Sequence, residues 1–351
     1  MKKYIIITTI NAKTAAIKEF EKLKEWQIVI VGDKKSKAIA NSKNLTFLSI
    51  DDQNQLGFNI VDRLPLNHYT RKNIGYLYAI QAGADLIYDT DDDNMPKPNW
   101  GEIPFHCDKI IRESDGVDFI NIYRYFTDEF VWPRGFPLDL IRRESDLEIT
   151  ENRHSEIGVW QGLVDLAPDV DAIYRLLFNK SISFGQQAPV ALQKGAFCPF
   201  NSQNTMWNRD VFPLLYLPAT VSFRHTDILR SFIAQRLMWA QDLHVGFHQA
   251  TVNQNRNPHD LMKDFENELE CYISTKAIVD ILRKEIFSGS IFDNMKHVYK
   301  ELQRDNLVGP DELDILDAWC SDLKIIHKAI SALKSTEGNE ELIPDIVSEN
   351  L

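Results

Sequence analysis

The sequence has no surplus of positive charge. Its 351 residues carry 39 Lys and Arg against 51 Asp and Glu, a formal net charge of -12. A general nucleic-acid binder shows a basic surface, so the charge argues against that class, while a local pocket for an anionic ligand is not excluded. There is no C-x-x-C pair. The four cysteines, Cys107, Cys198, Cys271 and Cys320, are scattered along the chain. That spacing offers no zinc framework, and isolated thiols in a large chain fit a reducing compartment. No apolar stretch approaches the ~20 residues of a membrane helix. The apolar run in the opening MKKYIIITTINAK is too short for a signal segment and reads as a buried strand. Internal repeats and low-complexity tracts are also missing. A soluble, cytoplasmic chain is expected, compatible with peripheral membrane contact and with a homo-oligomer.

Hydrophobic residues make up 44% of the chain and aromatics 11%, enough for a large core. The first part alternates buried strands and helices. Strands are expected at Tyr4–Thr8, 28–33, Leu45–Ile50, Ala84–Tyr88 and Phe119–Tyr123, and helices at 13–26 and from a Thr70 cap to Gly83. This pattern predicts a doubly wound, mostly parallel sheet, with ligands outside the carboxyl ends of its strands. Residues 126–200 mix Pro, Gly, Trp and charge with weak periodicity, so long loops and short strands are expected. Helical patterns return at Asp227–Gln241 and from about Pro258 to Leu333, with breaks at Ser288-Gly289 and Gly309-Pro310.

One stretch concentrates chemistry. LIYDTDDDNMPKP, residues 86–98, places Asp89, Asp91, Asp92 and Asp93 at the end of a buried strand. A calcium loop needs Gly at its sixth position and Glu at its twelfth, where this chain has Asn94 and Trp100. A phosphatase-type D-x-D usually follows the first strand, whereas this one follows the fourth. A third reading is a nucleotide-sugar site. There, hard oxygen ligands hold Mg²⁺ or Mn²⁺ against a diphosphate, and the metal acts as a Lewis acid on the leaving group. An acidic surface turn is the structural alternative.

Upstream, Arg71 to Asp93 reads RKNIGYLYAIQAGADLIYDTDDD. It resembles the R-x-N-x-G, helix, strand, aspartate-cluster block of GT-A glycosyltransferases. Arg71 and Asn73 at a helix start suit contacts to base or phosphates, and Gly75 allows close backbone approach. VWPRGFP (131–137), GVWQGLVDLAPDVDAIYR (158–175), FNSQNTMWNRDVFPLLYLP (200–218), HTDILRSFIAQRLMW (225–239) and TVNQNRNPHDLMKDF (251–265) resemble the STELLO-like family. That family is distantly related to the plant reversibly glycosylated polypeptides, which act as UDP-arabinopyranose mutases. The resemblance runs from about residue 4 to 265, with the terminal helices outside it.

The resemblance implies a GT-A type α/β fold with a C-terminal helical extension. Residues 1–125 would form the nucleotide-sugar half, 126–258 the acceptor half, 259–335 the extension and 336–351 an acidic tail. Asp91 would face the ribose and the metal, Asp93 the metal, with Asp92 in support and Asp89 behind. Thr8, Thr9, Asn11, Gly32, Asp33 and Lys34 would hold the base, unless they are ordinary strand-end turns. Arg134 falls where the relatives carry a self-glycosylated arginine, and phosphate or sugar binding is preferred for it here. Trp160 would stack on sugar or base, or else pack in the core. Asp165, Asp169 and Asp171 would form a second acidic set against the sugar. Asp227 is a general base or a plain helix cap. The late histidine ligand of GT-A enzymes is displaced, leaving His248 and His259, with Asn253 or Gln254 as substitutes. Three functions follow: a glycosyltransferase moving sugar from a UDP-sugar to a glycan or lipid-linked acceptor, a sugar-nucleotide mutase or self-glycosylating protein, and a nucleotide-binding assembly protein without turnover.

Overall fold

Runs of Ile and Val buried on both faces become the centre of one sheet. In the computed structural model, which describes residues 1–116, 118–256 and 260–336, the chain begins β1 (Lys3–Thr8), α1 (Ala15–Phe20), β2 (Trp26–Val31), β3 (Leu45–Leu48) and α2 (Ile50–Gln55). It continues α3 (Lys72–Gln81), β4 (Leu86–Thr90), β5 (Asn94–Pro96), β6 (His106–Glu113), α4 (Tyr123–Phe126), β7 (Leu147–Asp165) and α5 (Ala172–Leu177). Then come β8 (Val190–Leu192), β9 (Asn204–Asn208), α6 (Thr226–Trp239), β10 (His244–Gln254), α7 (Leu261–Lys284), α8 (Ile291–Arg304) and α9 (Glu312–Thr336).

The strands are ordered β3-β2-β1-β4-β9-β7-β6-β8-β10-β5, with β10 also paired to β7. β1, β2, β3 and β4 are mutually parallel, and β7 and β10 run the same way. β9 opposes its neighbours β4 and β7. One sheet therefore runs through both halves of the chain, and β4 delivers its aspartates near the middle. Alternate residues of β1 enter different cores. Tyr4 and Ile6 join the large one, with α3 and α6. Ile5 and Ile7 join a smaller one with Phe20, Trp26 and Trp160.

Two expected elements differ. No strand forms at 119–123: Phe119 makes a single bridge to Phe197, and the chain then turns into α4. Asn121 explains this, since its side chain accepts from the Tyr123 amide (3.3 Å) and donates to the Val131 carbonyl (2.8 Å). Such local bonds compete with a strand ladder. The supposed loop region holds β7, a 19-residue strand. Its first half pairs with β6, and residues 157–164, which pair with β9 and β10, are all buried, so they show no in–out alternation to read.

The terminal helices close on the sheet by buried carboxylates as well as apolar contact. Glu312, at the start of α9, is fully buried. It accepts from the Tyr216 hydroxyl (2.6 Å), the Ala219 amide (3.0 Å) and the Thr220 amide (2.8 Å). Asp322 accepts from the Asn59 and Ile60 amides at 2.8 and 3.0 Å. Glu312→Ala strands several buried donors. It is expected to cost ~1–3 kcal/mol in chemical denaturation, and an unchanged midpoint would contradict the clamp. Among the described residues no helix is long and apolar enough to cross a membrane.

Candidate active site

A carboxylate cluster holds together only if each member is compensated, and here each is compensated differently. Asp89, fully buried on β4, lies between two buried cations. Arg230 of α6 donates to its Oδ2 at 3.0 Å, and the Lys72 ammonium stands 2.6 Å from its Oδ1. Lys72 also donates to the Thr90 carbonyl (2.7 Å) and the Tyr69 hydroxyl (2.9 Å). Asp91 accepts from Tyr69 (2.8 Å), with Lys72 3.6 Å away. Burial nevertheless pushes the Asp91 carboxyl up to about 7; Lys72 opposes this while Asp93 and Asp89 add to it. Asp92 is met by neutral donors: the Thr9 hydroxyl and, at 3.0 Å, the Asn11 amide. Asp93 accepts from Gln254 of β10 at 3.0 Å.

These groups open onto a cleft of about 470 Å³. Its lining includes the expected Thr8, Thr9, Asn11, Asp33, Arg71, Asp91, Asp92, Asp93, Arg134, Asp169 and Asp227. The structure thus brings together residues spread over 220 positions, from the end of β1 to the start of α6. Lys35 lines the cleft in place of the neighbouring Lys34. Asp33 accepts from the Lys34 and His68 amides at 2.7 and 3.1 Å.

Arg134 differs from expectation. Its Nε and one terminal nitrogen grip Asp169 at 2.8 and 2.7 Å. Its two terminal nitrogens reach Asp227 at 3.1 and 2.9 Å, and one also donates to the Arg224 carbonyl. All five N–H donors are taken, so none is left to clamp a phosphate. Gly135 beside it has φ +85°, and a Cβ there would collide with Ile228 of α6. That contact fixes the arginine against the helix carrying Asp227. Burial acts to raise the Asp227 carboxyl, but Arg134 outweighs it and leaves the carboxyl below its usual range.

Other expected residues are engaged in the fold. Trp160 is fully buried; its indole N–H donates to the Pro104 carbonyl (2.9 Å) and its ring covers Gly246. Asp165 pairs with Lys97 at 2.7 Å. Asp171 caps α5, accepting from the Tyr174 amide (2.7 Å) and the Trp132 indole (2.5 Å); burial raises it to about 7. Asn73 clips the Leu217 backbone, at 2.9 Å in both directions. Arg71 touches the cleft, yet its donors go to Gln53 and to the Val61 and Leu64 carbonyls. Gly75 serves packing of α3, since a Cβ there would sit 2.6 Å from Val31. Thr70 does not cap α3; the His68 side chain accepts from the Thr70 amide instead. His248 is buried against Trp160, with burial lowering it to about 4, and it does not line the cleft. Gln254 stands beside Asp93 instead. His259 lies outside the described residues.

A family model described as STELLO glycosyltransferases matches residues 224–349. The chain is 28% identical over 359 aligned positions to the Arabidopsis thaliana protein named "Probable glycosyltransferase STELLO1", covering 95% of this chain and 46% of that one. It is 30% identical over 303 positions to "Probable glycosyltransferase STELLO2" of the same plant, covering 80% and 39%. The chain is STELLO-like. It spans less than half the length of these two relatives. The matched region takes in α7, α8 and α9, so the likeness does not stop near residue 265 as expected.

The STELLO-like chain offers hard oxygen donors to a divalent cation. Among the described residues no group of three His, Cys, Asp or Glu side chains is arranged to hold a metal alone. Asp91 and Asp93 share the cleft, however, and the buried Oε1 of Gln203, also on its wall, accepts no hydrogen bond. Gln203 donates to Gln254 at 2.8 Å, which in turn donates to Asp93. Two carboxylates and an amide oxygen would suit Mg²⁺ or Mn²⁺, with water and phosphate oxygens completing its shell. Sequence reasoning missed Lys72, Tyr69 and Arg230, which hold the cluster in place. Lys72 adjoins Arg71, and Arg230 lies one helical turn after Asp227. Neither position signals the partner, since Arg230 reaches Asp89, 141 positions away.

Proposed function

We propose that the protein is a divalent-metal-dependent glycosyltransferase of GT-A type, using a nucleoside-diphosphate sugar, a UDP-sugar first among them, and a glycan hydroxyl as acceptor. The observation that carries this reading is one cleft lined both by the aspartates at the carboxyl end of β4 and by Asp227 of α6. The parallel half-sheet β3-β2-β1-β4 supports it, since ligands of such sheets sit at strand carboxyl ends. Asp91 and Asp93 would hold the metal, which neutralises charge on the departing diphosphate. Thr8, Thr9 and Asp33, at the ends of β1 and β2, bound the base pocket. The exposed ring of Phe223 stands edge-on to His68 and Tyr69 at the same rim and offers a face to base or sugar.

Asp227 is assigned the acceptor proton. Arg134 keeps it ionised and, with Asp169, fixes its direction. Asp227→Asn is expected to reduce transfer by about 10²-fold or more while donor affinity changes little. Mass spectrometry of product beside calorimetry of the donor separates the two quantities. Normal turnover would reduce Asp227 to a partner of Arg134, and lost donor binding would move it to the nucleotide site. No observation favours self-glycosylation, because the Arg134 guanidinium is enclosed by two carboxylates. The reading as a whole is tested by a thermal-shift screen of nucleotide sugars with and without Mn²⁺, followed by product analysis on the binders. Binding without any product would favour an assembly role.

A further inference from the structure

Five arginines line the cleft: Arg71, Arg134, Arg175, Arg224 and Arg256. Three have carboxylate partners. Arg134 holds Asp169 and Asp227, Arg224 Nε lies 2.5 Å from Glu268, and Arg256 lies 2.7 Å from Asp264. Arg175 of α5 has none within salt-bridge distance among the described residues. It is only 6% exposed. One terminal nitrogen donates to the Pro168 carbonyl at 2.7 Å, and its Nε has no hydrogen-bond partner. Arg71 also lacks a carboxylate, but its donors are met by Gln53 and the Val61 and Leu64 carbonyls, whereas Arg175 is left with an unmet Nε. A buried guanidinium with neither counter-charge nor a full set of partners is costly, and a bound anion would supply both. The neighbour makes the cost larger. Burial lowers the Arg175 pKa, and the like charge of Arg256 lowers it further. Arg256 is shifted the same way, by burial and then by Arg224. A single carboxylate would offset one of these charges, whereas a phosphoryl group brings nearly two and presents oxygens to two planar forks.

We propose that Arg175 and Arg256 form a phosphoryl-anion subsite in the wall built by residues 168–175 and the end of β10, separate from the carboxylates Asp91 and Asp93. For its substrate class the inference rests on the transferase reading. The anion is either the diphosphate of the donor or a phosphate borne by the acceptor. Both present the same oxygens to the same forks.

The test uses inorganic phosphate as probe, on the full chain in chelator, so that it is independent of any metal-dependent donor site. Calorimetry should show phosphate binding to wild type and binding weakened about tenfold or more in Arg175→Met. Arg175→Lys should recover part of it, keeping the charge without the fork. Arg256→Met, altering a more exposed side chain, should weaken binding likewise and serves if the first variant fails to fold. Phosphate titrated again in saturating UDP and Mn²⁺ separates the sources. Competition assigns the subsite to the donor, and simultaneous binding assigns it to a phosphorylated acceptor. Absence of phosphate binding in wild type, or equal affinity in both Met variants, overturns the subsite. Those results leave the metal-dependent donor reading standing, because that is measured with UDP and Mn²⁺.

Discussion

Asp91→Asn is expected to lower turnover by at least about 10²-fold, with the loss appearing in metal-dependent donor binding and not in folding. The side chain is partly enclosed at the cleft wall, and this burial, opposed by Lys72 and aided by Asp93 and Asp89, holds its carboxyl up to about 7. Its unfolded value lies near 3.9. Between these values the folded chain keeps a proton that the unfolded chain has released. Stability therefore falls as pH rises through this window, and the penalty is complete above about 7. Asn removes that penalty, so at pH 8 the variant should melt no lower than wild type. A divalent cation competes with the same proton. Wild-type affinity for UDP with Mn²⁺ should therefore climb from pH 6 to 8 and then level. A flat profile, or a variant that melts well below wild type at pH 8, would contradict the assignment of Asp91 as a strained metal ligand.

Arg134→Met should be the most destabilising change in the cleft, by ~3–5 kcal/mol in chemical denaturation. Both of its partners, Asp169 and Asp227, are buried, and neither has another cation within salt-bridge distance among the described residues. Removing the arginine leaves two unpaired carboxylates facing each other across its place. Neutralising them in the triple variant Arg134→Met, Asp169→Asn, Asp227→Asn should recover most of the loss. A phosphate clamp behaves differently. Its loss would weaken donor binding at unchanged stability, and that result would restore the role expected from the sequence alone.

Much of the fold could be read because its signals were local. Runs such as Ile5–Ile7 and Ile28–Val31 are strands whatever surrounds them, and Ser288-Gly289 and Gly309-Pro310 do separate α7, α8 and α9. The aspartate cluster was legible because it joins a strand end to a charge density that needs a reason. Trp160, Asp165 and Asp171 share their segment with Asp169 but not its destination. β7 ends at Asp165, and in the turn beyond it Asp169 goes to Arg134 while Asp171 caps α5. Sequence spacing carries no such direction. The occupation of Arg134 was equally hidden, since its partner Asp227 lies 93 residues away. His248 misled because its type suits a metal, whereas the residue beside Asp93 is a glutamine six positions later on the same strand.

The central claim is that this cleft binds a nucleoside diphosphate through a cation that protein and ligand hold together. It is tested most directly by calorimetric titration of UDP into wild type, in Mn²⁺ and in chelator. Two carboxylates and an amide oxygen hold the bare ion weakly, and a bare diphosphate meets the charges of Asp91 and Asp93. The account predicts weak binding of either partner alone and at least about tenfold tighter UDP binding with both present. Equal UDP affinity with and without the metal would contradict it.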